Sequence, residues 1–582
     1  QGLELWDAWA KSSPKYGDGN RDPLDVWKSI NPTHATYRAL FAQAQARGWQ
    51  NPKANAQRIE NQARAQAARA DDPRPVIALA QGERAQALDK IDAVLADTGR
   101  VFQRGQRVVH VSHAPAKVRG IEIPEQVPHI SEATAGWIAC KVDELARVER
   151  ITKHGEAKQA DCPRELATLY TERHDAWQLP AVRGIASTPL LLPDGTINCA
   201  HGYDPHSGLW LDWRGGELAV PEHPTRADAL AAVQRLAQLV DTFPFADDKI
   251  DRVIAVAALM AAALRPSLAR CPAFAFTSPT PATGKTKLAR TVGALCDKTP
   301  PLPLTYGHSS EEFEKSLSTA VILGTPVTLV DNINADGLNS NTLAVAVTEG
   351  GATIRIFGSN RDAMRVESAT LWLITGNNLW MADDLLRRVL VCELDPGVEH
   401  PELRRFASDP EAIARKHRGD YLRDVHIIVR AFRQSGEQIE AEPFAGFDDF
   451  VAYVRDPLLW LGWPDLVDKV MQIKRGNPKR AGEGDLLAEL ARVFPDSWFK
   501  AATVLDRAMP AGAMALGDSE LRAVLDEVCP GKVSARGIGK VLGRVKGRII
   551  NGYRLRAHGA GGHALEYRVE QVEPDPQRGL PM

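Results

Sequence analysis

The chain has 582 residues, 44% of them hydrophobic and 25% charged, which is enough apolar content for several packed domains. A formal net charge of -2 gives no global attraction to nucleic acid, so any basic surface must be local. Seven scattered cysteines with no C-x-x-C argue against a disulfide framework or a structural zinc site and fit a reducing cytoplasm. Cys199, His201 and His206 form the one metal-like grouping, in a turn-rich segment where coincidence is the simpler reading. The longest apolar run, Val253 to Leu264, is too short to span a bilayer, and no secretory signal is visible.

Residues 1–50 read as a small helical unit with Trp6, Trp9 and Trp27 as core anchors. Residues 51–75, rich in Ala, Gln and Arg, read as a linker or solvated helix. Residues 76–245 are expected to be mixed α/β, with short β-type runs from Leu179 to Asp212 punctuated by Pro-Asp-Gly, Gly-Tyr-Asp and Ser-Gly turns. Asp194, inside Pro-Asp-Gly, is a turn residue and is assigned no chemistry.

From Asp247 to Leu264 a helix leads into a core expected over 246–405. The apolar run Ala273-Phe274-Ala275-Phe276 is followed by Pro279-Thr280-Pro281-Ala282-Thr283-Gly284-Lys285-Thr286-Lys287 and then by helix formers. Strand, loop and helix in this order suit a phosphate loop, because a helix N-terminus offers unpaired N–H groups and partial positive charge. Lys285 would reach the β- and γ-phosphates of ATP, and Thr286 would hold Mg²⁺. Proline replaces the first glycine of G-x-x-x-x-G-K-[ST], so the turn into the loop must be built differently.

Pro326 to Asp331 is an apolar, β-branched strand delivering a carboxylate to Mg²⁺ in the manner of a Walker B acid. The next residue, Asn332, stands where many ATPases carry the glutamate that polarises water, which leaves the base open. Glu312 or Glu314, in the acidic first turns of a capped helix from Ser309, could supply it; the bland alternative is a helix with dipole-matched acids. A third strand, Thr370 to Thr375, ends in Gly376-Asn377-Asn378 and places an amide beside the γ-phosphate. Lys285, Asp331 and Asn377 are spaced 46 residues apart in both intervals, which core packing alone explains poorly. Residues 352–366 alternate about a Gly-Ser-Asn turn and are expected to form a hairpin.

The series PTPATGKT, VTLVDN, LWLITGNN and DDLLRRVLVCELD resembles the AAA+ helicases of phages and mobile elements, related to superfamily 3 and MCM-like helicases. The resemblance implies an α/β multidomain chain. Its parts would be an AAA+ P-loop core, N-terminal helical and small β-containing collar regions, a helical lid over 406–475 and a C-terminal winged-helix domain. It also implies ATP and Mg²⁺ as cofactors, with Arg387 beside the nucleotide and Arg388 as a finger reaching a neighbouring subunit of a hexamer-like ring. The hairpin would point into the central pore, where Arg355, Arg361 and Arg365 would contact a single strand of DNA. Arg455 is a candidate second sensor. Residues 1–50 resemble part of a primase C-terminal module, which implies a longer primase-helicase polypeptide or a separate primase-polymerase partner.

Residues 484–572 read as helices at 486–493, 499–509 and 519–528, then a basic helix and two strands, a winged-helix order. Residues 573–582 are a tail. From Lys532 to Arg568 nine Lys or Arg face one acid, Glu566, a local charge of about +8. Arg536, Lys540, Arg544, Lys546, Arg548, Arg554 and Arg556 are the candidate contacts to duplex or origin DNA. Two function classes follow: a replicative DNA helicase, or an ATP-driven loader or defence NTPase that switches on DNA without unwinding. Primer synthesis is disfavoured, since no paired-carboxylate polymerase site is legible.

Overall fold

The computed structural model describes residues 72–572 and a few positions before them. Within that span it leaves out 114–115, 119–120, 124–126, 153, 175, 307–309, 334–336, 356–362, 404–407, 445, 477, 511–516, 530–531 and 560–564. The helical unit expected at 1–50, with Trp6, Trp9 and Trp27, and the tail at 573–582 lie outside the described residues or almost wholly so.

The centre of the chain is built on a helix that is apolar all round. Helix α2 (Ile250–Leu264) follows α1 (Arg226–Leu239), and from Val253 onward every residue of α2 is fully buried. A helix without a polar face has to lie inside a core. It packs beside a five-stranded sheet of β1 (Ala273–Ser278), β2 (Leu302–Thr305), β3 (Val327–Ile333), β4 (Leu371–Asn377) and β5 (Val389–Glu393). The spatial order is β2-β3-β4-β1-β5, and every pairing is parallel. Both faces of such a sheet are covered, so its strands read as continuous apolar runs: Phe274, Ala275, Phe276, Leu373 and Ile374 are fully buried. Helices α3 (Lys285–Cys296), α4 (Ser310–Leu323) and α5 (Asn341–Thr348) fall between the strands.

Strand order determines what the carboxyl edge can hold. Since β4 lies between β1 and β3, the strand feeding the loop and the strand ending in Asp331 stand one strand apart. The gap is filled by Thr375, Gly376 and Asn377 at the end of β4, with Ser278 in register with Asn377. A Cβ at Gly376 would come 2.8 Å from the Ile333 carbonyl, so only glycine lets β3 and β4 close here.

The expected hairpin forms: Gly351–Arg355 pairs antiparallel with Ala363–Glu367. Segment 76–245 is mixed α/β, with three three-stranded and two two-stranded small sheets among the described residues and two apolar clusters, one around Ile91, Val142 and Tyr170 and one around Phe102 and Trp210. Arg104, buried at 4% exposure, ties it to the core. Its Nη1 donates to the Val182 carbonyl at 3.0 Å, and its Nη2 donates to those of Val321 and Glu367, both at 2.8 Å.

Residues 478–572 have a separate core of Leu486, Leu521, Ile538, Leu542, Leu555 and Val569. Four helices, Pro478–Val493, Ala501–Ala508, Ser519–Val528 and Ala535–Val545, pack with a four-stranded sheet that ends in the paired strands Tyr553–His558 and Glu566–Gln571. This adds one short strand on either side of the two expected. Among the described residues no helix is long and apolar enough to cross a membrane.

The closure at Gly376 is testable. Gly376→Ala should destabilise the chain by about 1–3 kcal/mol, the usual cost of overpacking, and lower its thermal midpoint. An unchanged midpoint would mean that the two strands can separate without cost.

Candidate functional site

The loop between β1 and α3 turns at Ala282 (φ 57°) and Gly284 (φ 101°). The first glycine of the common pattern, replaced by Pro279, is therefore not where this chain takes up positive φ. An alanine carries that conformation instead, at the modest steric cost a non-glycine residue bears there. Gly284 then caps α3, and the open N-terminus of a 12-residue helix faces the loop.

Four of the expected residues converge. The Lys285 ammonium, 8% exposed, donates to the Thr280 carbonyl at 2.9 Å and to Thr283 Oγ1 at 3.0 Å. Burial pushes its pKa down from the ordinary lysine value. Thr286 Oγ1 donates to Asp331 Oδ1 at 3.1 Å, joining the first turn of α3 to the end of β3. Asn377 lies against Ser278 at the start of the loop, and its Oδ1 is buried without a hydrogen-bond partner. Thr280 Oγ1, inside the loop, is a second buried polar atom without one. Unpaired buried oxygens are costly in a finished core and ordinary in a ligand site.

Thr375 completes the arrangement. Its hydroxyl donates to the same Asp331 Oδ1 and accepts from the Asn332 backbone N–H at 3.1 Å. Asn332 takes φ 60°, which turns its side chain out to solvent. Thr375 was readable as the last strand residue but carried no signal of its own, because a buried threonine in a parallel strand is ordinary β-branched packing.

The remaining expected residues are dispersed. Asn378 is exposed at φ 45°, its backbone N–H donating to the Ser278 carbonyl at 3.0 Å. Lys287 is engaged by Asp409 at 2.7 Å and Glu411 at 3.2 Å. Pro279, Pro281 and Ala282 are exposed. Glu312 is exposed in the first turn of α4, and Glu314 is half-buried one step on. Arg388 is folded onto its own chain, donating to the Ala344 carbonyl at 2.6 Å and lying 3.2 Å from Asp384. Arg387 is exposed, and its guanidinium also meets Asp384. Arg455 is 2% exposed and held bidentately by Asp465, with a third bond to the Glu442 carbonyl at 2.6 Å.

Of the hairpin arginines, Arg365 is exposed on the second strand; Arg361 and the side chain of Arg355 lie outside what the structure describes. In the C-terminal unit, Ile538, Val541, Leu542 and Val545 bury one face of helix Ala535–Val545, leaving Arg536, Lys540 and Arg544 as an exposed stripe. Arg544 and Arg548 pair with the buried Glu483, at 2.8 and 3.3 Å, and Arg556 pairs with Glu570 at 2.9 Å. Two acids from outside the basic run therefore reduce its charge. Lys546 is exposed and Arg554 half-buried.

No protein-family model and no curated protein sequence matches the chain. Among solved structures the chain is similar to the apo C-terminal region of NrS-1, at 12% identity and a TM-score of 0.30, over 83% of this chain and 98% of that one. It is similar to an active helicase, SCCmec type IV Cch, at 10% identity and a TM-score of 0.29, over 80% of this chain and 93% of that one. It is also similar to JCV helicase, at 13% identity and a TM-score of 0.22, over 44% of this chain and 63% of that one. At these scores the likeness carries no weight for fold or function, and the parallel sheet with its loop geometry stands by itself.

The depressed Lys285 gives a signed pH dependence. Only the charged ammonium attracts phosphate, and a lowered pKa means that this form is lost at lower pH than for a free lysine. Affinity for a fluorescent nucleoside triphosphate should fall as pH rises, starting below the ordinary lysine range, and Lys285→Ala should flatten the curve. A wild-type curve that stays flat up to the ordinary lysine pKa would remove Lys285 from the binding site.

Proposed function

We propose that the chain is an ATP-dependent DNA helicase of the AAA+ type, working as a ring-shaped oligomer that translocates on one strand in mobile-element or phage replication. The observation that carries this reading is the convergence of Lys285, Thr286, Asp331 and Asn377 at the carboxyl edge of one parallel sheet. The α3 N-terminus and Lys285 would cradle the phosphates of ATP. Thr286 and Asp331 offer a hydroxyl and a carboxylate oxygen, hard donors that suit Mg²⁺ and would hold it beside the terminal phosphate. Asn377 would orient that phosphate or the attacking water. An amide is not a base, so Asn332 cannot take the water's proton; Glu312 is the carboxylate offered for that step.

In this reading Arg388 or its exposed neighbour Arg387 supplies charge to the next subunit's nucleotide. For Arg388 that requires release from Ala344 and Asp384. The hairpin would grip the strand, and Arg536 and Lys540 of the exposed stripe would hold duplex DNA in a winged-helix arrangement, with Arg544 joining them only on release from Glu483. Compartment and any primase-polymerase partner follow from the resemblance and remain part of the proposal.

ATP hydrolysis and strand displacement on a forked duplex test the reading together. Lys285→Ala and Asp331→Ala should each abolish both while leaving the thermal midpoint close to that of the wild type. Hydrolysis without displacement by the wild type would favour the loader or regulatory alternative.

The ring makes a separate prediction. Arg388→Ala should bind ATP but hydrolyse it slowly, and mixing it with Lys285→Ala should restore activity where an intact finger meets an intact loop. Absence of rescue despite subunit exchange would place the arginine's action within its own chain.

A further inference from the structure

A cleft of about 790 Å³ opens between the N-terminal segment and the base of the hairpin. Arg104, Arg183, Tyr203, Ser207, Arg365 and Glu367 are among its walls. That volume is in the range of small-ligand sites. It is separate from the phosphate loop, sharing no residue with it.

Its charge is one-sided: three arginines line it against one carboxylate, Glu367. Arg104 is more than nine-tenths buried, has no carboxylate within ion-pair distance among the described residues, and leaves its Nε without a partner. Its neutralisation falls to three backbone carbonyls, which supply dipoles rather than a counter-charge. Arg183 meets Glu367 at 2.6 Å, but both side chains are well exposed, at 36% and 51%. A pair so exposed is worth about 0–1 kcal/mol, so an incoming anion can compete for the arginine. Arg365, exposed on the hairpin strand, offers a third cation. Tyr203 is half-buried against Phe102, with ring centroids 4.9 Å apart, and adds an aromatic wall.

We propose that this cleft is a phosphate-binding site that seats the backbone of a single nucleic-acid strand against the base of the hairpin. The anion chemistry stands on the cleft itself, and the identity of the ligand rests on the reading of the chain as a DNA motor. The geometry links occupancy to the hairpin, because Arg104 and Arg183 contact the backbone and the side chain of Glu367, its last residue.

The test uses the full chain, a fluorescent oligo-dT and two substitutions of opposite expected sign. Arg183→Gln removes one cation: the log-log salt slope of binding should become shallower by about 0.7, so its loss of affinity relative to wild type should be about fivefold larger at 0.1 M than at 1 M salt. Glu367→Gln removes the competing anion and should tighten binding. A purely structural role for the pair would make both substitutions act in the same direction, and that result, or wild-type binding by both, would overturn the proposal. A free nucleoside triphosphate is the other source of phosphate. If Lys285→Ala still binds one and the added Arg183→Gln abolishes that binding, the cleft is a nucleotide site and the strand assignment is wrong. If the variants show the expected signs but the wild type displaces no duplex, the motor reading fails and the cleft stands.

Discussion

One carboxylate oxygen, Asp331 Oδ1, accepts hydrogen bonds from Thr286 on α3 and Thr375 on β4. Those two hydroxyls join the helix that follows the loop to the two neighbouring strand ends. Thr286 reaches Asp331 only if α3 starts where Gly284 turns the loop, and Thr375 reaches it only if β4 lies between β1 and β3. Each such bond contributes on the order of 1 kcal/mol net, too little to impose a strand order. The order comes from apolar burial: five parallel strands with both faces covered, beside a helix with no polar side. The core thus fixes the edge geometry, and the hydroxyls orient one carboxylate on it.

This explains which features could be read from the sequence. Apolar strands ending in polar residues, and a glycine-lysine-threonine run before helix formers, are local patterns, so the sequence alone groups Lys285, Asp331 and Asn377. Spacing and strand type supplied what proximity in sequence could not. Thr375 was hidden because its side chain looks like packing until its partner is known. The turn at Ala282 was hidden for another reason, since positive φ is expected of glycine or asparagine and composition points elsewhere.

Long-range ion pairs were the least legible part. Lys287 reads as a phosphate ligand by position, yet Asp409 and Glu411 come to it from more than a hundred residues downstream. The basic run from Lys532 to Arg568 reads as nearly uniform positive charge, yet Glu483 enters it from helix Pro478–Val493, with two helices between, and Glu570 from the last strand. Such pairings reverse the apparent availability of a side chain. The remaining stripe at Arg536 and Lys540 is narrower than the sequence suggested, and for that reason more directional.

Arg104 shows the same effect in the other direction, since an arginine without any local signal becomes a junction. Burial pushes its pKa down to about 9, with desolvation the leading cause. A guanidinium in that position depends on its three carbonyl acceptors, and losing one leaves a desolvated donor unpaired at a cost above that of a surface bond. One acceptor, Val321, lies near the end of α4, whose first turn carries Glu312; another, Glu367, ends the hairpin. A displacement of the hairpin base therefore cannot leave α4 or the N-terminal segment indifferent, because all three share one buried cation. If the hairpin grips a strand and α4 carries the hydrolytic carboxylate, as proposed, these shared contacts are one physical route between the two. The helix that bridges them spans 14 residues, a length of about 21 Å.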